Sequence, residues 1–232
     1  MPDDVAVAAR AETGSLQPRR ALMKILVTGF RPFGKHGVNP SEQIVETLRK
    51  EALARHYFQL YTAVLPTQYA ASGAQIRRLI RRIRPAAVLC LGLAATRTTI
   101  SLERVALNLD DDALPDTASR VRRGRRILRK GPAAYWSTLP LERMRASLEQ
   151  RGIPASISNS AGAYVCNHVF YVARHEIETS GSGARCGFIH VPPLQRRAKA
   201  GAPAGMPLPR MVEAVRCCLE ALRAPRPSAD RP

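Results

Sequence analysis

Three short, almost wholly apolar runs constrain the fold of this chain more than any other feature of its sequence. They are MKILVTGF at residues 23–30, AAVLCLG at residues 86–92 and GFIHVP at residues 187–192. A strand with one side in solvent alternates apolar and polar residues, whereas a continuous apolar run is typical of a strand that is covered on both faces. We therefore predict three buried strands at these positions.

Segments with helical periodicity separate these runs. In residues 69–83, isoleucine and leucine recur at spacings of three and four, and arginines occupy the opposite face. Strands that alternate with helices indicate an α/β fold, here a three-layer α/β/α sandwich with a mainly parallel central sheet. The other predicted helices are at 42–51, 141–150, 162–178 and 209–223, and the other extended segments are at 57–66, 100–109 and 155–158.

The length of 232 residues suits one domain. We predict a single α/β domain at residues 23–223, preceded by a flexible extension at 1–22 and followed by a disordered, proline-rich tail at 224–232. Residues 110–134, which are rich in Asp, Gly, Pro and Arg, are predicted to form a long excursion from the sheet.

The chain carries a formal net charge of +18, and residues 120–130 hold seven cations and no acid. A basic run of this kind is typical of a surface that binds nucleic acid or another acidic partner, and also of a solvated basic surface. The run contains no aromatic residue for base stacking, and the sequence contains no zinc-finger or RNP motif. Nucleic acid is therefore not an expected partner, and a nucleic-acid-associated binding protein is kept only as an alternative function.

The cysteines and the apolar segments indicate a cytoplasmic protein. The five cysteines are scattered and odd in number, unlike the disulfide framework of a small secreted domain, and none of them forms a CxxC pair. The N-terminal residues lack the apolar core of a secretory signal. The longest apolar stretch, at residues 86–95, reaches roughly half the length of a membrane-spanning helix, so no membrane segment is expected.

Cys166 is the strongest candidate for a catalytic residue. The valines around it have helical spacing, and the small residues Ser160, Ala161 and Gly162 precede them, so Cys166 falls near the start of a helix. The free N–H groups and partial positive charge of a helix N-terminus lower the pKa of a thiol, and the same N–H groups can bind an oxyanion. The alternative is a buried structural cysteine.

A nucleophilic cysteine needs a base, and His190 is a candidate because it ends an apolar strand, where a side chain emerges at the sheet edge. A histidine without a catalytic role fits a strand end equally well. His168 is about 200° away from Cys166 around the same helix and should point elsewhere. Glu103, in an otherwise apolar segment, can orient an imidazole or form an ion pair with an arginine, and Asp116 is the rival acid.

Phe30 and Phe33 flank a turn directly after a predicted strand. Aromatic residues make up only 5 % of the chain, which draws attention to this pair. Two aromatic side chains at a strand end can wall an apolar pocket or fill the core beneath the turn.

Distinctive motifs follow one another along the chain. They are VTGFRPFG with VNPSE at 27–34 and 38–42, ISLERVALN at 100–108, GPAAYWSTLP at 131–140, SNSAGAYVCNH at 158–168 and GFIHVP at 187–192. Together they resemble the pyroglutamyl peptidase I family of cysteine peptidases, also called pyrrolidone-carboxylate peptidases. The resemblance runs from Met23 to Pro192, and five motifs in the same order make coincidence implausible.

The resemblance implies that Cys166, His190 and Glu103 form a triad that removes an N-terminal pyroglutamyl residue from peptides through an acyl-enzyme. It implies an α/β/α sandwich, no metal and no cofactor. Pyroglutamyl peptides are the implied substrates, the cytoplasm is the implied location, and a homotetramer or homodimer is the assembly to expect. The residues expected to hold the substrate are Phe30, Phe33 and Arg97.

The sequence departs from the family pattern beside these residues. Thr96 and Ala113 replace a glycine and an arginine, the latter associated with the oxyanion site, and Thr117 replaces an asparagine. An alternative function is therefore that of a diverged homologue with weak or altered acyl specificity. A nearby arginine could take the place of the missing one, and the candidates are Arg97, Arg120 and Arg122.

Overall fold

The computed structural model describes residues 6–7, 22–34, 37–51, 58–195 and 205–223 of the chain. The first elements are β1 (Ala6–Val7), β2 (Met23–Phe30), α1 (Pro40–Glu51), β3 (Phe58–Leu65), α2 (Tyr69–Ile83), β4 (Ala87–Leu93), β5 (Ile100–Glu103) and β6 (Val105–Leu107). They are followed by β7 (Asp110–Asp112), β8 (Arg122–Arg125), β9 (Ala134–Trp136), α3 (Leu141–Gln150), β10 (Ala155–Ser158), α4 (Val165–Ser180), β11 (Arg185–Val191) and α5 (Leu208–Ala221). Outside residues 100–134, the predicted strands and helices are present with ends within a few residues of those expected.

Seven strands form the central sheet in the order β1-β3-β2-β4-β11-β5-β10. The pairs β3–β2, β2–β4, β4–β11 and β5–β10 are parallel, whereas β1–β3 and β11–β5 are antiparallel. The three apolar runs of the sequence therefore become neighbours, as β2, β4 and β11, in the middle of the sheet. Every residue of β4 is buried.

Helices cover both faces of the sheet, which confirms the predicted α/β/α sandwich. On one face, α1, α3 and α5 pack on side chains such as Ile25 and Ile189, and on the other face α2 and α4 pack on side chains such as Leu26 and Phe188. Neighbouring residues of a strand point to opposite faces, so each central strand contributes to both cores. This double covering is the reason for the continuous apolar runs.

Residues 100–134 hold more regular structure than the sequence predicts. The extended segment at 100–109 divides at Arg104 into β5, which joins the central sheet, and β6, which pairs with β9. The excursion at 110–134 contains a second short pair, β7 with β8. These two strands consist of acids, arginines and one glycine, so their sequence shows no apolar alternation. An ion pair between the buried Asp110 and Arg122 supports the pairing instead.

The two predicted terminal segments lie largely outside the described residues. Of residues 1–22, the structure describes only Leu22 and β1, which pairs with β3. The predicted tail at 224–232 lies outside the described residues entirely. None of the helices within the described part of the chain has the length and apolarity needed to cross a membrane.

β2 and α1 approach each other closely at Gly29. A Cβ atom at this position would lie 2.4 Å from the backbone oxygen of Ser41, a distance that only glycine avoids. The approach brings the Ser41 hydroxyl within 3.0 Å of the Phe30 N–H, which donates to it. The end of β2, and with it Phe30, is thereby fixed against the start of α1.

We predict that Gly29→Ala lowers the free energy of unfolding by about 1–3 kcal/mol, because the added methyl group must displace backbone rather than a flexible side chain. Urea unfolding followed by circular dichroism measures the change. Gly37→Ala is the control, since among the described residues, its chain neighbours aside, no atom lies within 4 Å of a Cβ atom at that position. Equal unfolding free energies for the two variants would contradict this account of the contact.

Candidate active site

Cys166 is the second residue of α4, whose start lies over the ends of β4 and β11. Gly92, near the end of β4, leaves room for the thiol: a Cβ atom at position 92 would lie 2.8 Å from the Cys166 sulfur. Before the helix the chain turns at Gly162, which has a positive φ of 79°. Cys166 is partly exposed as a residue although its sulfur is desolvated, whereas the other four cysteines are buried.

His190 stands beside the same glycine, because β11 and β4 pair with His190 opposite Gly92. The antiparallel pairing of β11 with β5 sets Phe188 opposite Glu103, so Glu103 and His190 are diagonal neighbours on one face of the sheet. Nδ1 of His190 lies 2.7 Å from Oε1 of Glu103. A carboxylate at Nδ1 holds the proton there and leaves Nε2 as the basic nitrogen. His190 and Cys166 line one cavity of about 310 Å³.

Glu103 is fully buried, and it both contacts an imidazole and pairs with an arginine, the two alternatives that the sequence left open. Besides contacting the imidazole, Oε1 accepts a hydrogen bond from Nη1 of Arg97 at 2.5 Å. Nη2 of Arg97 donates to the hydroxyl of Ser158 and the carbonyl of Ser160, at 3.3 Å each. Arg97 lines the cavity, but the structure shows its guanidinium bound to Glu103 and to the segment before α4.

Aromatic side chains wall the cavity. Phe33 and Tyr164 both line it, with ring centroids 5.9 Å apart. Phe30 borders the cavity as well, yet it is only 2 % exposed and lies 6.4 Å from the ring of Phe188, so it fills the core and walls the pocket at once. The polar residues of the wall include Asn39, Thr67, Thr96 and Asp112.

Tyr164 lines the cavity, and Asn167 anchors the helix start beside it, although the sequence predicted a role for neither residue. The Asn167 side chain accepts the N–H of Leu107 at 2.8 Å and donates to the carbonyls of Leu107 and Leu109, at 2.9 and 2.8 Å. These bonds fix the first turn of α4 against β6. A buried amide beside Cys166 in an apolar helix is the signal that could have identified Asn167.

His168 and Asp116 do not line the cavity. Nδ1 of His168 lies 3.0 Å from Oδ2 of the buried Asp110, so this histidine points away from Cys166 as the helical angle predicted. The carboxylate of Asp116 accepts the N–H groups of Tyr69 and Ala118, at 3.0 and 2.9 Å. Asp116 therefore ties the start of α2 to the loop after β7, and Glu103 is the acid beside His190.

Of the arginines considered as substitutes at the oxyanion site, only Arg97 lines the cavity. Arg122 forms an ion pair with Asp110, and its guanidinium lies 4.6 Å from the centroid of the Tyr69 ring. Arg120 is exposed. Within the described residues, no three His, Cys, Asp or Glu side chains come together as metal ligands do.

The thiol of Cys166 differs from the prediction of a lowered pKa. Burial raises its pKa to about 12, and the negative charge of Glu103 acts in the same direction. Arg97 and the backbone N–H of Cys166 lower the pKa by less. Desolvation thus outweighs the helix N-terminus and favours the neutral thiol. A thiol in this state needs a base within reach before it can attack a carbonyl.

Fold and site together define a class of protein. The α/β/α sandwich presents the Cys166 thiol at the start of α4. The imidazole of His190, on β11, is bound to a carboxylate and lines the same cavity. These are the parts of a cysteine-type hydrolase. The profile of the pyroglutamyl peptidase family matches residues 23–224. The chain belongs to this family.

Curated relatives and solved structures agree with this assignment. The pyrrolidone-carboxylate peptidase of Oceanobacillus iheyensis is 42 % identical over 177 residues, which cover 76 % of this chain and 87 % of that protein. The enzyme of that name from Bacillus licheniformis is 39 % identical over 193 residues, which cover 83 % and 89 %. The crystal structure of pyroglutamyl peptidase I from Bacillus amyloliquefaciens matches with a TM-score of 0.81 at 34 % identity and covers 87 % of this chain and 95 % of that one.

We predict that the rate of Cys166 alkylation by iodoacetamide rises about tenfold per pH unit from about pH 6 to pH 10, because a thiol with a raised pKa gains thiolate steadily over this range. Mass spectrometry of quenched samples gives the rate at each cysteine. A model peptide with an unperturbed cysteine is the control, since its rate levels off near a pKa of about 8.5. A Cys166 rate that is flat from neutral pH upward would contradict the raised pKa and indicate a thiolate in the free protein.

Proposed function

We propose that this protein hydrolyses the peptide bond after an N-terminal pyroglutamyl residue, with Cys166 as nucleophile. One observation carries the proposal: Cys166 and a Glu103-bound His190 line the same cavity, on the same face of the sheet. Membership of the pyroglutamyl peptidase family supports the substrate class.

The cavity is suited to a pyroglutamyl ring. This ring is a small neutral lactam with no α-ammonium group, so a pocket for it needs flat apolar walls and a few polar groups. Phe33 and Tyr164 supply the walls, and Phe30 extends them toward the core. Thr67 and Thr96 border the same space. The volume of about 310 Å³ accommodates the ring and the scissile bond.

The acylation step uses His190 first as base and then as acid. Nε2 of His190 takes the proton of the Cys166 thiol while the sulfur attacks the pyroglutamyl carbonyl carbon. The resulting oxyanion accepts a hydrogen bond from the backbone N–H of Cys166, one of the free N–H groups in the first turn of α4. His190 then gives the proton to the leaving nitrogen as the carbon–nitrogen bond breaks, which leaves a thioester on Cys166.

Deacylation repeats these steps with water. His190 takes a proton from water while the oxygen attacks the thioester carbon, and the carbon–sulfur bond breaks as the sulfur recovers a proton. Free pyroglutamate and the thiol are the products. Throughout the cycle, Glu103 holds the imidazole in one tautomer and stabilises the positive charge that forms on it.

The setting that we propose for this reaction is a reducing compartment, the cytoplasm, since the five cysteines are all free thiols.

The assembly that we propose is a homotetramer or homodimer. Size-exclusion chromatography with light scattering measures that assembly. The proposed substrates are peptides with an N-terminal pyroglutamyl residue.

We predict that Cys166→Ala and His190→Ala each abolish release of the fluorophore from a pyroglutamyl-amide reporter, because the first removes the nucleophile and the second removes its base. Cys218→Ala is the matched control, since Cys218 is buried in the core on the opposite face of the sheet. Full activity of Cys166→Ala would refute the proposal. An inactive wild-type protein that binds DNA in a salt-sensitive way would favour the nucleic-acid alternative instead.

Removal of the Glu103 charge gives a second test. We predict that Glu103→Gln lowers kcat on the reporter by about a hundredfold or more with little change in KM, because the amide no longer stabilises the charged imidazole. Glu176→Gln is the matched control: Glu176 is also buried and paired with an arginine, Arg81, at 2.6 Å, but on the outer side of α4. Equal kcat values for the two variants would remove Glu103 from the mechanism.

A further inference from the structure

Asp112 is the acid on the cavity wall, and within the described residues no cation pairs with it. Its strand neighbour across the β7–β8 pair is Arg122, but the guanidinium of Arg122 is bound to Asp110. Oδ1 of Asp112 accepts the N–H of Leu114 at 2.8 Å, and no described residue donates to Oδ2. The cavity wall therefore carries a negative charge with an oxygen free to accept.

The other charges at the site are paired with each other. Arg97 is bound to the carboxylate of Glu103, which also contacts His190. A paired guanidinium and carboxylate largely cancel each other's field at the distance of a substrate side chain. The charge that an incoming peptide meets in this cavity is consequently that of Asp112.

Asp112 lies beside the segment that leads into α4. The N–H of Asp111 donates to the carbonyl of Ala163 at 3.0 Å, so β7 runs along this segment. The carboxylate is close enough to Tyr164 to act on it: burial raises the pKa of Tyr164 to about 12, and the charges of Asp116 and Asp112 add to the shift. Asp112 therefore lies on the cavity wall between Tyr164 and the β7–β8 pair, within reach of a peptide bound in the cavity.

We propose that Asp112 selects pyroglutamyl peptides whose released part carries a positive charge, with lysine or arginine directly after the pyroglutamyl residue. This inference rests on the proposed function. The pyroglutamyl ring is neutral, so the only cation that Asp112 can meet in such a substrate belongs to the released part. A half-buried carboxylate attracts that cation and repels an acidic side chain at the same position.

Three peptides of the form pyroglutamyl-Xaa-Ala-amide test the inference, with lysine, norleucine or glutamate as Xaa. The wild-type protein should cleave them with kcat/KM decreasing in that order. In Asp112→Asn the ratio of the lysine rate to the glutamate rate should fall about tenfold, as loss of one half-buried charge predicts. Asparagine keeps an acceptor for the Leu114 N–H, and Asp112→Glu, which keeps the charge, should keep the order.

Asp111→Asn is the matched control. It removes the same charge from the adjacent residue, which is exposed, accepts the N–H of Gly124 at 3.1 Å and does not line the cavity. The lysine-to-glutamate ratio of this variant should equal that of the wild type. An unchanged ratio in Asp112→Asn, or an equal fall in Asp111→Asn, would overturn the inference while leaving the proposed function intact. If the protein cleaves none of the three peptides, both the proposed function and the inference are overturned.

Discussion

The buried carboxylate of Glu103 is the constraint on which the candidate site depends. It has no exposed surface, and an unpaired carboxylate in such a place costs of order several kcal/mol. Its partners are Arg97 and His190, which both reach Oε1. The fold therefore holds the imidazole by Nδ1, so its direction is set before any substrate arrives.

The antiparallel strand β5 is what gathers these three residues. β5 lies between β11 and β10 in an otherwise mainly parallel sheet, and it runs opposite to β11. Glu103, its last residue, thereby comes level with Phe188 and next to His190. The loop that enters β5 carries Arg97, and the end of β10 supplies Ser158 to the same guanidinium. One topological irregularity places an acid, a base and a cation at one edge of the sheet.

The sequence was sufficient for the helices, for the main strands and for the place of Cys166 on a helix, because all of these depend on local periodicity. Local periodicity does not determine which strands become neighbours. The contact of Glu103 with both Arg97 and His190 depends on the pairing of β5 with β11, so the sequence could not predict it. The sequence did not predict the β7–β8 pair for a related reason. An ion pair between Asp110 and Arg122 stabilises it, and such a contact leaves no apolar alternation in either strand. Periodicity reports burial, whereas charge pairing depends on the fold.

The pKa of Cys166 shows the same division between local and tertiary effects. The position at a helix start is local, and it favours the thiolate. The desolvation that raises the pKa arises from what packs around the sulfur, including the β4 backbone at Gly92. A neutral thiol suits a neutral lactam, since neither partner must shed a tightly held hydration shell when the ring enters. In the proposed mechanism, charge separates only as the sulfur attacks. The new negative charge forms beside the first turn of α4, and the new positive charge forms on an imidazole already bound to Glu103. In the proposed mechanism, the ion pairs around Glu103 therefore stabilise the charges that form as the sulfur attacks.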